Sequence, residues 1–286
     1  MYQTILLCTL NGVAYGSLLF LLATGMSQIF GLMNIINLAH GSYYMFGAYI
    51  GLSIVKGTGS FLLGVLGGGI AVGLIGVVME KFSLRPLYKQ HLRQVLLTFG
   101  FIYIFMDVGK WIWGTSPRMI AEPSLLEGSA IIAGIHLPIY RLALIVVALI
   151  VGLGLWLFQE RTKFGSLVRA AVDDQEMAEG IAINVPLIFT LVFFFGAFLA
   201  GFAGVIGGPI VGAYPGVDLE VLVLAIVIVV IGGLGSLQGA FVGSILIGVI
   251  DNFSKAFFPE FALFTIFAIM TTILVLRPSG LFGKTN

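Results

Sequence analysis

The chain has 286 residues, 14 Lys and Arg against 13 Asp and Glu, and a mean hydropathy of +1.11; 59% of it is hydrophobic and 9% charged. That composition excludes an ordinary soluble domain. The net charge of +1 leaves no electrostatic footprint for nucleic acid, and a lone Cys8 excludes a disulfide framework and a cysteine metal site.

Apolar stretches of about 20 residues recur, the length that crosses a hydrocarbon core. The alternating apolar and polar strands of a transmembrane barrel are missing. The expected class is therefore all-α: a polytopic transmembrane bundle of eight or nine segments. The whole of 1–286 is read as a single transmembrane domain. No Lys or Arg precedes the first apolar run, so the positive n-region of a cleaved signal is lacking.

In chain order, 4–30 is a long first apolar run. A polar break from Asn34 to Gly41 leads into 42–55. Then come 61–79, 94–113, 138–158, 186–207, 219–233, 239–254 and 260–276. Lys81, Arg85, Lys89 and Arg93 fall between the third and fourth segments. Arg161, Lys163 and Arg169 follow the fifth, and Arg277 and Lys284 follow the last. The positive-inside rule puts these three groups on the cytoplasmic side if single spans separate the others. The 114–137 loop and the acidic Asp218/Glu220 turn then face outward. Nine crossings place the N-terminus outside; eight place it inside.

A weak internal repeat is visible. Leu38-Ala39-His40-Gly41-Ser42 resembles Ser236-Leu237-Gln238-Gly239-Ala240 in place and character, and each is followed by a further span and an Arg-Pro pair. Interrupted helices at matching places in two halves point to a transport site. Irregular backbone inside a bilayer is tolerated only where protein buries it or it lines a wet cavity. The expected substrate pathway therefore comprises Asn34, Asn37, His40, Gly41, Tyr44, Ser236, Gln238 and Gly239. Free backbone groups and helix N-termini at such breaks favour a small polar solute. The competing reading is that these polar groups cap broken helix ends; for His40 capping, interhelical bonding and pathway lining stand level.

Glycines at small-xxx-small spacing, such as Gly12/Gly16, Gly47/Gly51 and Gly64/Gly68, indicate close helix packing. Asp107 with Lys110 and Asp251 with Lys255 are spaced as helical ion pairs near span ends, beside aromatic residues, and read as interfacial anchors. The core otherwise lacks the carboxylates expected of a proton-driven carrier.

The charged island within 159–185 stands out. Glu160, Arg161, Lys163, Arg169, Asp173, Asp174, Glu176 and Glu179 cluster between two apolar runs. Gly165 to Gly180 lacks proline and suits a short helix. On the cytoplasmic surface it would present small residues and charges to a groove on a soluble protein. A lipid-surface helix would favour a basic face instead. The expected coupling residues are Arg169, Ala170, Ala171, Asp173, Asp174, Glu176 and Gly180.

Three motifs together resemble the LivH-type permeases of ATP-binding-cassette importers in the branched-chain amino acid family. They are Gly31-Leu32-Met33-Asn34-Ile35-Ile36-Asn37-Leu38-Ala39-His40-Gly41 with Gly47-Ala48-Tyr49, Arg169-Ala170-Ala171-Val172-Asp173-Asp174 through Ala178, Gly180 and Ile181, and Gly232-Gly233-Leu234-Gly235-Ser236-Leu237-Gln238-Gly239-Ala240. The resemblance covers nearly the whole chain. It implies a multi-pass subunit of the bacterial inner (plasma) membrane that carries branched-chain or other amino acids, or similar amides or carboxylates. It implies two cytoplasmic ATP-binding subunits, a paralogous permease partner and a periplasmic or lipid-anchored solute-binding protein. The island becomes a coupling helix, although Arg169 stands where many importers have Glu and Gly180 lies too far on. No Gly-x-x-x-x-Gly-Lys-Ser/Thr run occurs, so the resemblance implies a non-enzymatic subunit with no cofactor of its own, ATP being bound by its partners. The alternative class is a stand-alone carrier or channel for a small polar solute.

Overall fold

In hydrocarbon every backbone N–H and C=O must be satisfied within the chain, and helices do this segment by segment. The computed structural model describes residues 2–132 and 135–283, so Lys284 lies outside the described residues. Each of the nine apolar runs lies in a helix: α1 (Tyr2–Met33), α2 (His40–Thr58), α3 (Phe61–Met79), α4 (His91–Trp113), α5 (Ile139–Arg161), α8 (Val185–Gly207), α9 (Val217–Gly232), α10 (Leu237–Phe257) and α11 (Ala262–Leu276). Between α5 and α8 lie two short helices, α6 (Lys163–Asp173) and α7 (Gln175–Gly180). Among the described residues 7 helices are long and apolar enough to cross a membrane; α2 and α9 are not among them. The protein is thus an all-α polytopic membrane bundle.

Local chemistry sets the helix ends. α1 stops because Asn34 turns left-handed at φ 53°, and its N–H closes on the Phe30 carbonyl at 2.9 Å; Asn tolerates that conformation better than most residues. Ser60 caps α3 by accepting the Leu63 N–H at 3.3 Å, and Ser236 caps α10 by accepting the Gly239 N–H at 3.0 Å. The segment between α4 and α5 carries the one β-sheet among the described residues. There β1 (Ser129–Ile132) and β2 (Ile135–Pro138) form an antiparallel hairpin in the register Ser129↔Pro138.

α8 is the hub. α1, α2 and α3 all pack along it, and α1 also runs along α10. Glycine permits this closeness: a methyl at Gly47 would collide with the Gly201 backbone, and one at Gly248 with the Gly12 and Gly16 backbone. Van der Waals packing of small residues supplies the association that lipid itself does not drive. α4, α5 and α11 are peripheral, with large apolar side chains such as Leu96, Ile150 and Phe264 exposed.

Helix direction alternates, and the ends sort accordingly. The C-terminal ends of α1, α9 and α11, the start of α10 and the island all gather at one end. Leu281 and Phe282 donate to the Ile231 and Gly232 carbonyls there. Gln28, Leu32 and Gly235 share a cavity with Gln159 and Arg169. At the same end Arg85 donates to the Pro186 carbonyl, tying the basic 80–93 loop to the residues that leave the island.

Candidate functional site

The two polar breaks come together. A methyl at Gly31, at the end of α1, would collide with the backbone of Gly235, between α9 and α10. Beside that contact lies a cavity of about 230 Å³, lined by Ile29, Ile35, Asn37 and His40 from one side and Ile226 and Val230 from the other. Its wall is almost wholly apolar, although Asn37 and His40 are among the residues that line it.

Asn37 is 3% exposed. Its Oδ1 accepts the Ala39 N–H at 3.1 Å, which starts α2, while its Nδ2 is buried without a protein partner among the described residues. His40 is fully buried. Its Nε2 donates to the Leu22 carbonyl of α1 at 3.1 Å, a pairing that requires the proton on Nε2, and its buried Nδ1 has no protein partner. His40 thus ties α2 to α1, while the Asn37 bond is local and starts α2; both residues line the cavity, with an unpaired nitrogen buried behind its wall. For His40 the interhelical bond is present.

The other pathway candidates lie elsewhere. Asn34 is exposed and serves as the turn that ends α1. Gly41 lets α2 meet the Asp218 backbone of α9. Tyr44 is buried in the core against Gly207, one helix turn from His40 and away from this cavity. Ser236 is committed to capping α10. Gln238 is exposed and lines a separate apolar groove with Phe20 and Trp156. Gly239 packs on the Gly232 backbone, closing the α9–α10 turn.

The island is two helices where the sequence suggests one. Asp174 interrupts it in an extended conformation (φ −150°, ψ 98°), and its Oδ1 accepts the Met177 N–H at 2.9 Å. An aspartate with three residues of helix former after it caps a new helix more favourably than it continues an old one. Gly165, Val168, Ala171 and Ala178 form the buried face. Arg169 folds back to donate to the Gln159 carbonyl and lies 3.8 Å from Glu160. Ala170 is half-buried, while Asp173, Asp174, Glu176 and Gly180 are exposed. Leu167, Met177 and Ile181 are exposed among these acids.

Several polar groups escaped the sequence reading. Glu80 is fully buried. It accepts from Arg85 Nε and Nη2 at 3.0 Å each, from Tyr88 at 2.6 Å and from Thr190 at 2.9 Å. The spacing of Glu80 and Arg85 faces one side of a regular helix poorly; a π turn over Glu80–Leu84 brings them together. Asp218, expected in an outer turn, is 1% exposed and accepts from Ser42 at 3.1 Å. Asp107 is an exposed surface partner of Lys110, as expected of an anchor. Asp251 is not: it is 3% exposed, with Lys255 Nζ at 2.6 Å.

Comparison with known proteins agrees with this architecture. Residues 8–276 match the family described as the permease component of branched-chain amino acid transport systems. The high-affinity branched-chain amino acid transport system permease protein BraD of Pseudomonas aeruginosa is 30% identical, over 96% of this chain and 94% of its own. LivH of Escherichia coli K12, which carries the same description, is 28% identical over the same shares. The solved structure of PsaBC from Streptococcus pneumoniae in complex with Fab shares the fold with a TM-score of 0.50 at 13% identity, covering 93% of this chain and 89% of that one. The chain is therefore a multi-pass inner-membrane transport subunit, and it belongs to the family of permease components of branched-chain amino acid transport systems.

Proposed function

We propose that this chain forms half of the translocation path of an ATP-driven importer for branched-chain amino acids, with the two helix breaks as its inner constriction. The observation that carries the reading is the meeting of the breaks around an aliphatic cavity, at the same end of the bundle as the charged island. An apolar wall with Asn37 and His40 among its residues suits a branched side chain attached to a polar backbone. In this reading α2 and α9 cross together with the seven longer helices, which puts the N-terminus outside and the island inside. The breaks preceding α2 and α10 are counterparts in an internal repeat within one permease domain.

The island, 159–185, is the coupling segment. Its exposed Leu167, Met177 and Ile181 supply apolar contact with a cytoplasmic ATPase, and Asp173 and Glu176 supply register. Ala171 acts inward, holding the segment on the bundle. Arg85 reaches Pro186 and Thr190 just beyond the island, so a push on the segment is passed to α8 and thence to the cavity. The partners of this reading are two ATP-binding subunits, a paralogous permease and a periplasmic solute-binding protein docking on the 114–137 side.

The test is reconstitution of this chain with its cassette partners in proteoliposomes. Leucine uptake that needs both ATP and the binding protein is expected. Replacing Met177 with Glu should abolish uptake and co-purification of the ATPase while leaving the bundle folded. Uptake without ATPase subunits, or unaltered in the variant, would refute the coupling assignment.

A further inference from the structure

At the end of the bundle opposite the island lies a second cavity, of a different kind. It measures about 250 Å³ and is lined by Asn11 and Tyr15 of α1, Arg141 of α5, Glu220 of α9, and Asp251 and Lys255 of α10. Drug-sized pockets run to roughly 300–1,000 Å³, so this one suits a solute of a few heavy atoms. About half of its lining is polar, where the inner cavity is almost wholly apolar.

Three features distinguish it from a structural ion-pair cluster. Charges of both signs line it, yet among the described residues no hydrogen bond or ion pair joins Arg141 to Glu220 or Asp251. Arg141 makes no side-chain hydrogen bond to the described residues at all. Asn11 Oδ1 is buried at its wall without a partner among the described residues. The acids, by contrast, are held in place: Lys255 fixes Asp251 at 2.6 Å, and the Tyr214 hydroxyl donates to Glu220 at 2.8 Å. Burial and that hydrogen bond push the Tyr214 hydroxyl up to about 12, so it stays a donor at neutral pH. A free guanidinium facing oriented carboxylates in one small cavity offers a site to each end of a zwitterion: Arg141 takes a carboxylate, and Glu220 and Asp251 take an ammonium group.

We infer that this outer cavity is an entry station that binds the zwitterionic backbone of an amino acid through Arg141 on one side and Glu220 with Asp251 on the other, before the side chain reaches the aliphatic cavity between the breaks. The inference rests on the reading of the chain as an amino acid permease and adds to it the residues that recognise the substrate's charges.

Asn252 also lines the cavity, and Cys8 is the sole native cysteine and is buried. Asn252→Cys in a Cys8→Ser background, in the reconstituted importer without binding protein, therefore provides a reporter for a charged methanethiosulfonate reagent. Leucine at ten times its half-saturating concentration should slow labelling about tenfold. Neither 3-methylbutylamine, which lacks the carboxylate, nor 4-methylpentanoate, which lacks the ammonium group, should do so. Arg141→Gln should remove the protection and Arg141→Lys restore part of it.

Absence of labelling, or protection by the amine and the acid as well as by leucine, overturns the inference. So does protection that follows the phosphatidylethanolamine content of the vesicle instead of added leucine. Failure of the complete importer to transport any amino acid defeats the function reading; normal transport without protection defeats this inference alone.

Discussion

Removing Glu80 should loosen the link between α3 and α8 by an amount that the structure lets one work out. The carboxylate is fully buried and accepts four hydrogen bonds, two of them from Arg85. Hydrogen bonds to charged groups contribute about 1.5–3 kcal/mol each, but they do not simply add. Arg85 is 33% exposed and recovers part of its loss by turning to water. The single Thr190 hydroxyl proton turns instead to the Pro186 carbonyl, 2.9 Å away. Breaking a buried pair typically costs about 3–5 kcal/mol, and with those recoveries Glu80→Ala should cost about 2–4 kcal/mol. Glu80→Gln retains an acceptor and should cost about half as much. The assay is equilibrium unfolding in mixed detergent micelles with rising dodecyl sulfate. A double-mutant cycle with Thr190→Val isolates the α3–α8 link, with an expected coupling of about 0.5–1.5 kcal/mol. A Glu80→Ala change within about 0.5 kcal/mol of the parent, the range of ordinary surface substitutions, would refute the reasoning. It would mean that Arg85, Tyr88 and Thr190 are satisfied without the carboxylate.

Asp174→Ala should remove the cap of α7 at a cost of about 1 kcal/mol, seen as faster amide exchange from Met177 to Gly180, whereas Asp174→Asn should leave exchange nearly unaltered. Unchanged exchange in the alanine variant would show that α7 is held by burial of Ala178 and not by its cap. Gly31→Ala drives a methyl into the Gly235 backbone and should destabilise by about 1–3 kcal/mol. The control, Gly100→Ala, meets nothing within 4 Å and should be neutral or slightly stabilising. Equal stability of the two variants in detergent would disprove the close approach of the two breaks.

Much of the fold was legible because the constraint that produces it is one-dimensional. A helix in lipid satisfies its own backbone, so length and hydropathy locate the apolar runs and single out seven helices long enough to cross, while polar breaks such as Asn34–Gly41 mark where that satisfaction lapses. The glycine spacings in α2 and α3 likewise announced close packing, since a backbone approach leaves no room for a side chain. The island was legible as an exposed charged segment, but its division at Asp174 was not. Whether an aspartate continues one helix or caps the next turns on a few tenths of a kcal/mol of competing local bonds.

What only the tertiary structure decided is which polar groups share a space. The cavity partners Asn37 and Val230 lie far apart in sequence, as do Arg141 and Asp251, and nothing local encodes those meetings. The same holds for ionisable residues: Asp107 and Asp251 have nearly the same neighbours in sequence, a lysine within one turn and aromatics beyond it. One lies on the surface of peripheral α4, and the other is enclosed between α1 and α10. Periodicity reports which residues are apolar; helix against helix decides which charges are buried, and so which of them can meet a solute.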